Sequence, residues 1–141
     1  DPSAPLPALS EQQEVYSDYM AAGLSLRAHP ISFYRRSLDE LNVATVEQLD
    51  QVQHGRAVTV AGLVLLRQRP STAKGITFVT LEDESGAANL IIHQATWLRY
   101  SQIARRSSAW LVHGRLERKN DVTHVLVRKL QDLDTILNPS E

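Results

Sequence analysis

The spacing of apolar residues divides the chain into a helical part and a strand-rich part. In the N-terminal part, apolar residues recur at intervals of three and four, which is typical of amphipathic helices. Further along they alternate with polar residues, and a period of two predicts strands. The expected organisation is a linker over 1–10, a helical segment over 11–54, a strand-rich domain over 55–135 and a tail over 136–141.

The helical segment carries recognisable helix starts. Ser10 precedes acidic and amide residues and is a typical N-cap, so a first helix is expected over 11–22. Pro30 suits the first turn of a second helix. Thr45 can cap a third helix that runs through Leu49. We expect this segment to pack on the strand-rich domain.

The strand-rich domain contains five runs with a period of two. The predicted strands cover residues 56–69, 76–82, 87–93, 109–118 and 122–130. A helix over 95–105, with Leu98 facing inward, separates the third strand from the fourth, and Gly62 is expected at a sharp bend of the first strand. This element order is that of the OB-fold. The predicted fold class is therefore mainly β, with a helical N-terminal segment and a five-stranded OB-fold Greek-key barrel.

Strand alternation assigns side chains to an inner and an outer face. The uniformly aliphatic set is expected to fill the barrel: Val58, Val60, Val64, Leu66, Val79, Leu81, Leu90 and Ile92. The outer face would then carry an aromatic, an amide and two guanidiniums, which suit base stacking, base reading and phosphate neutralisation: Phe78, Asn89, Arg67 and Arg69. The other candidate nucleic-acid contacts are Lys74 in the first inter-strand loop, and Arg115, Arg118 and Lys119 at the far end.

Two alternatives stay open for these side chains. Leu63 and Leu65 also alternate onto the outer face, so something apolar is expected to cover part of it. Phe78 is then either an exposed stacking platform or a residue covered by the N-terminal helices. Arg67 and Arg69 either contact phosphate or are solvated charges at a strand end.

Charge is distributed unevenly along the chain. The whole chain has a net charge of −1, but residues 1–55 carry −5, residues 56–129 carry +7 and residues 130–141 carry −3. A basic block between acidic flanks indicates a polyanionic partner for the barrel.

Catalytic and metal-binding patterns are missing from the sequence. There is no cysteine, which excludes disulfides and thiolate sites and fits a cytoplasmic location. The five histidines are scattered, and the acidic run over 82–84 falls at a hairpin turn, where carboxylates are routinely solvated. We expect no catalytic residue, metal or cofactor. No membrane span or signal peptide is evident, and because the first residue is Asp1, a fragment of a longer protein or a processed chain is expected.

Four segments carry a family resemblance: DYMAAGLSLRAHP (18–30), VTVAGLVLLRQRP (58–70), KGITFVTLEDESGAANLII (74–92) and VHGRLER (112–118). They resemble the C-terminal region of bacterial C-family DNA polymerase alpha subunits, and most closely the error-prone branch. The similarity runs over residues 6–137. Replicative alpha subunits continue into a domain that docks the clamp-loader tau subunit, whereas this chain ends soon after its last strand, as the error-prone branch does.

The resemblance implies a non-catalytic, single-stranded-DNA-binding OB domain of a translesion polymerase used in damage-induced synthesis. The parent would be a nucleotidyltransferase whose catalytic aspartates lie in a palm domain outside this chain. The barrel is also similar to the anticodon-binding domain of aspartyl-type tRNA synthetases, in which a phenylalanine stacks a base and an amide reads one. Phe78 and Asn89 match these two positions, whereas His93 departs from the tryptophan usual in the error-prone branch.

A protein-docking module is the competing class of function. The resemblance implies an inactive polymerase-like partner subunit that contacts the sliding clamp, and either the barrel or the helical segment could bind it. A clamp-binding motif is not evident, because QLDQV (48–52) lacks the aromatic anchor. The basic barrel favours nucleic acid over docking.

Overall fold

The period-two alternation produces five strands that close into a barrel. In the computed structural model, which describes residues 28–139, they are β1 (Ala57–Gln68), β2 (Thr77–Asp83), β3 (Gly86–Ile92), β4 (Ala109–Lys119) and β5 (Val122–Asp132). The strand order around the barrel is β1-β2-β3-β5-β4. Neighbouring strands are antiparallel except β3 and β5, which are parallel. The predicted fold class is confirmed.

Short helices surround the barrel. They are α1 (Arg35–Glu40), α2 (Gln94–Arg99), α3 (Ser101–Arg106) and α4 (Leu133–Leu137), with 3-10 turns at Pro30–Tyr34, Glu47–Gln51 and Ser71–Ala73. The predicted first helix lies outside the described residues. The helix expected between β3 and β4 is divided into α2 and α3 at Tyr100. Its buried side runs through Trp97 and Ala104, whereas Leu98 is 63% exposed, so the inward placement of Leu98 is wrong.

Two apolar cores hold the elements together. The first fills the barrel and contains the predicted aliphatic set, except Leu66, together with Trp110. The second lies outside the barrel, where the segment preceding and including α1 covers β1 and β4: its members are Ile31, Tyr34, Leu38, Val43, Ala61, Leu63, Ala109, Leu111 and Leu133. Leu63 is thus covered as expected, whereas Leu65 is 51% exposed.

Gly62 allows two barrel strands to approach closely. It pairs with Trp110 of β4, and a Cβ atom built on it would lie 2.4 Å from the carbonyl oxygen of Glu82 in β2. No side chain fits there. The glycine therefore marks a close approach of two strands, and the sharp bend expected at this position stays a prediction.

Candidate nucleic-acid interface

A bulge at Leu65 reverses the side-chain alternation of β1. Val64 pairs with Leu81, and Leu66 pairs with Thr80, so Leu65 has no partner on β2. An extra residue of this kind shifts every later side chain to the opposite face. Leu66 therefore lies on the outer face and is 48% exposed, and its predicted place in the barrel interior is wrong.

The same bulge relocates the two arginines at the end of β1. Arg67 pairs with Val79, whose side chain is buried in the barrel, whereas Gln68 pairs with Phe78. The prediction that Arg67 and Arg69 share a face with Phe78 is therefore wrong. Both arginines lie at the end of the barrel that α2 and α3 cover.

Arg67 is bound to the protein itself. Its Nε and Nη2 atoms donate hydrogen bonds to the carbonyl oxygens of Ala104 (2.9 Å) and Ser107 (2.7 Å). Its guanidinium carbon lies 5.6 Å from the centroid of the Trp110 ring. Burial lowers the pKa of Arg67 below its ordinary value. These contacts tie the last turn of α3 to the barrel and leave few donors for a ligand.

Arg69 and Lys74 flank the loop between β1 and β2. Arg69 donates a hydrogen bond to Thr77 Oγ1 (3.0 Å), and its guanidinium carbon lies 4.9 Å from the centroid of the Trp97 ring in α2. It stays exposed. Lys74 is exposed too and has a left-handed backbone (φ 52°).

A row of outward side chains crosses the sheet at Phe78. Gln68 of β1 pairs with Phe78 of β2, Phe78 with Ile91 of β3, and Ile91 with Leu126 of β5. We call these four residues the outer row. Its three apolar members are only half-buried, and Gln68 is exposed. Within residues 28–139, the N-terminal helices cover β1 and β4 rather than Phe78.

Asn89 lies on the same outer face, two residues closer to the β2–β3 hairpin than Ile91 of the outer row. It pairs with Thr80, which in turn pairs with Leu66. The Asn89 side chain is exposed and lines a small pocket of about 80 Å³ together with His124. An aromatic and an amide therefore lie on neighbouring positions of one outer face, as predicted.

The three cations predicted at the far end have different environments. Arg118 donates hydrogen bonds to Leu49 O (3.0 Å), Val52 O (2.9 Å) and Thr123 Oγ1 (3.2 Å), so it holds the second 3-10 turn on the barrel. Arg115 of β4 pairs with Leu126 of β5 and is exposed. Lys119 is exposed at the end of β4. Arg115 and Lys119 can reach a ligand, whereas Arg118 closes the barrel.

In the acidic run at the β2–β3 turn, Asp83 accepts hydrogen bonds from backbone N–H groups of the turn and of a neighbouring segment. The Asp83 side chain is fully buried and accepts hydrogen bonds from Ser85 N (2.7 Å), Ser85 Oγ (2.7 Å), Gly86 N (3.2 Å) and Val46 N (2.8 Å). The expectation of solvated turn carboxylates is therefore wrong for Asp83. The Asp-x-Ser-Gly spacing, which favours an aspartate-capped turn, was the available signal.

Arg35 of α1 joins the helical segment to the acidic β2–β3 turn. Its Nε and Nη2 atoms donate to both carboxylate oxygens of Glu84, at 2.6 and 2.8 Å, and Nη2 lies 3.4 Å from Asp83 Oδ2. Burial opposes ionisation of Glu84, but the hydrogen bonds from Arg35 and the backbone outweigh it, so the pKa of Glu84 lies below its ordinary value. The same contacts raise the pKa of Arg35.

Glu84→Gln should therefore destabilise the protein in a pH-dependent way. Folding lowers the pKa of Glu84, so this carboxylate stabilises the folded protein. The stabilisation is complete at a pH above the ordinary carboxyl pKa of 4.5 and is lost as the pH falls through the lowered pKa. Since Glu84 is partly exposed, we expect a loss of about 1 kcal/mol near neutral pH. Urea unfolding at a series of pH values measures it. A loss that stays constant in acid would contradict this account.

The described residues add no sign of metal binding or membrane insertion. Between residues 28 and 139, no three His, Cys, Asp or Glu side chains are grouped so that they could hold a metal ion. Over that range no helix has the length and apolar character needed to cross a membrane.

The closed barrel and its outer face define an OB-fold module. Residues 58–133 match the family model described as an OB-fold nucleic acid binding domain, and the chain belongs to this family. It is 51% identical over 125 residues to the error-prone DNA polymerase of Rhodopirellula baltica and 45% identical over 133 residues to that of Caulobacter vibrioides. These alignments cover 89% and 94% of this chain but only 11% and 12% of those proteins. The resemblance carried by the four segments is confirmed.

Solved structures support the same fold. Asparaginyl-tRNA synthetase from Pyrococcus horikoshii aligns with a TM-score of 0.54 at 16% identity, over 63% of this chain and 22% of that one. Aspartyl tRNA synthetase from Entamoeba histolytica aligns with a TM-score of 0.52 at 11% identity, over 62% and 20%. At these identities the likeness shows the fold alone.

Proposed function

We propose that this barrel binds single-stranded DNA template as a non-catalytic module of an error-prone DNA polymerase that acts in damage-induced synthesis. The observation that carries the proposal is the outer row, which presents a half-buried Phe78 on the outer face of the sheet. Aromatic side chains on such a face stack bases with little regard to sequence. The charge of +7 over residues 56–129 supports a polyanionic ligand.

The candidate residues divide into those that contact the ligand and those that support the barrel. Phe78 stacks a base and Asn89 reads a base edge. Phosphate is neutralised by the exposed cations Arg69, Lys74, Arg115 and Lys119. Arg67 and Arg118 hold the ends of the barrel. Roughly three to five phosphate contacts at these cations contribute about −2 to −3.5 to the log–log salt slope for a single strand.

Phe78→Ala should weaken binding of an oligothymidylate by about 1–3 kcal/mol while leaving the salt slope unchanged. The substitution removes stacking and no charge, so only the salt-independent part of the affinity changes. Fluorescence anisotropy titrations of the purified chain at several salt concentrations measure both quantities.

The chain's other phenylalanine provides the control for this substitution. Phe33 is 49% exposed on the 3-10 turn before α1, and Phe33→Ala should leave binding unchanged. Equal effects of the two substitutions, or no effect of Phe78→Ala, would refute the stacking role.

Protein docking is the second candidate function, because the middle of the outer row is apolar. Leu66, Ile91 and Leu126 present aliphatic surface beside Phe78. This surface would suit an inactive polymerase-like partner subunit. If no oligonucleotide binds even at low salt, docking becomes the better explanation of the outer row.

The proposal extends to the whole protein. The chain spans about an eighth of the length of the curated relatives that it matches. We infer a parent nucleotidyltransferase in the cytoplasm, whose polymerase chemistry is carried out by residues outside this chain.

A further inference from the structure

We propose that α2 and α3 form a second phosphate-binding surface, which takes the backbone of the strand as it leaves the outer row. The surface consists of Arg99, Arg105 and Arg106, all of them exposed. We call it the helix-end surface. The inference rests on the proposed function, because it extends the path of the same strand.

The two ends of the barrel differ in their charged side chains. The sequence has no aspartate or glutamate over residues 65–81 or 85–116, the two stretches that supply the loop between β1 and β2 and the helices α2 and α3. At the opposite end, the hairpin and the neighbouring 3-10 turn carry the acidic residues Glu47, Asp50, Asp83 and Glu84 together with the cations Arg35 and Arg118, which bind Glu84 and the turn. A phosphodiester chain therefore meets no acidic side chain from these two stretches at the helix end, whereas it meets charges of both signs at the hairpin end.

The cations of the helix-end surface are not neutralised by acidic side chains. The three ion pairs found within residues 28–139 involve His29 and Arg35, and none involves Arg99, Arg105 or Arg106. Asp132 lines a surface depression with Arg106, but its carboxylate accepts from Ser107 Oγ (2.6 Å) and Thr135 Oγ1 (2.6 Å). Arg67 and Arg118 have no acidic partner either, but their donors are bound by carbonyl oxygens and, for Arg118, also by the Thr123 hydroxyl.

The helix-end surface and the outer row lie at the same end of the barrel. Phe78 is the second residue of β2 and Ile91 the second-last of β3, so the outer row lies at the same end of the barrel as α2. Arg69 lies over Trp97 of α2. The loop touches α2 as well, since a Cβ atom on Gly75 would lie 2.6 Å from Gln94 Oε1. In the proposed path, a strand stacked on Phe78 passes Lys74 and Arg69 before it reaches the helix-end arginines.

The test is the triple variant Arg99→Gln, Arg105→Gln, Arg106→Gln. Glutamine keeps a high helix propensity, so the thermal unfolding midpoint should stay close to that of the wild type. Anisotropy titrations with an oligothymidylate of about 16 nucleotides, the upper end of OB-fold site sizes, should give weaker binding. The salt slope should become shallower by roughly 2, because three contacts at about 0.7 each are lost.

A second triple variant of equal charge change provides the control: Arg36→Gln, Arg56→Gln, Lys129→Gln, all exposed positions on other elements. It should change the slope much less. Equal slope changes in the two variants would overturn the inference, because they would reflect net charge alone. An unchanged slope in the first variant, with binding that still depends on Phe78, would overturn the inference and leave the proposed function intact. Absence of binding by the wild type would overturn both.

Discussion

Asp83→Ala is expected to lower the free energy of unfolding by about 3–5 kcal/mol, the cost typical of breaking a buried charge pair. The substitution removes the acceptor of three hydrogen bonds within the β2–β3 turn, one from Val46 N in the segment preceding the second 3-10 turn, and one from Arg35. The backbone N–H of Val46 would be left without its partner. Since whole domains are stable by only about 5–15 kcal/mol, a large share of the stability would be lost.

Urea unfolding followed by circular dichroism measures this loss. Asp50→Ala is the matched control, because Asp50 is exposed on the second 3-10 turn close to the same hairpin end. It should change the free energy of unfolding by less than about 0.5 kcal/mol. Similar losses for the two variants would show that Asp83 does not organise the turn.

Gly62→Ala is expected to destabilise the barrel by about 3 kcal/mol, the upper part of the range for overpacked cores. The added methyl group would lie 2.4 Å from Glu82 O, and neighbouring backbone cannot yield as a flexible side chain would. Gly62 and its partner Trp110 lie in the barrel wall, so β1 would have to move away from β2. Denaturant unfolding of the variant measures the cost.

Gly55→Ala separates lack of space from backbone strain. Gly55 has a φ of 89° and no atom within 4 Å of a built Cβ, so its substitution should cost only the roughly 1–2 kcal/mol of a left-handed backbone. At Gly62, by contrast, the constraint is the lack of space for a side chain. If Gly55→Ala were the more damaging substitution, close strand approach at Gly62 would not be the reason for its glycine.

Local patterns were sufficient to predict the barrel. Alternation located all five strands, and the turn residues separated them at nearly the observed positions. The outward placement of Phe78 and Asn89 also followed from alternation, because β2 and β3 pair in register over their whole length. Their roles in binding remain predictions.

The environments of Arg67 and Arg69 could not be predicted, because they depend on a shift of one residue in the pairing of β1 with β2. Nothing in LVLLRQR marks Leu65 as the bulged position, yet the bulge moves Arg67 from the outer face to the barrel end. The burial of Asp83 likewise depends on Arg35, which is 48 residues away in sequence. Contacts of this range are set by tertiary packing and leave no periodic signal.

Closure of the barrel by Arg67 and Arg118 has a consequence for the substitutions that the chain can accept. Arg118 satisfies two carbonyl oxygens and one hydroxyl with a single planar guanidinium. Lysine has the same charge but a compact ammonium, and it cannot reproduce this planar fork. At these two positions the shape of the side chain is the requirement, whereas at the exposed Arg105 and Arg106 a positive charge of either shape is sufficient. Substitution of arginine by lysine should therefore be tolerated at exposed positions such as Arg105 and should destabilise the barrel at Arg67 and Arg118.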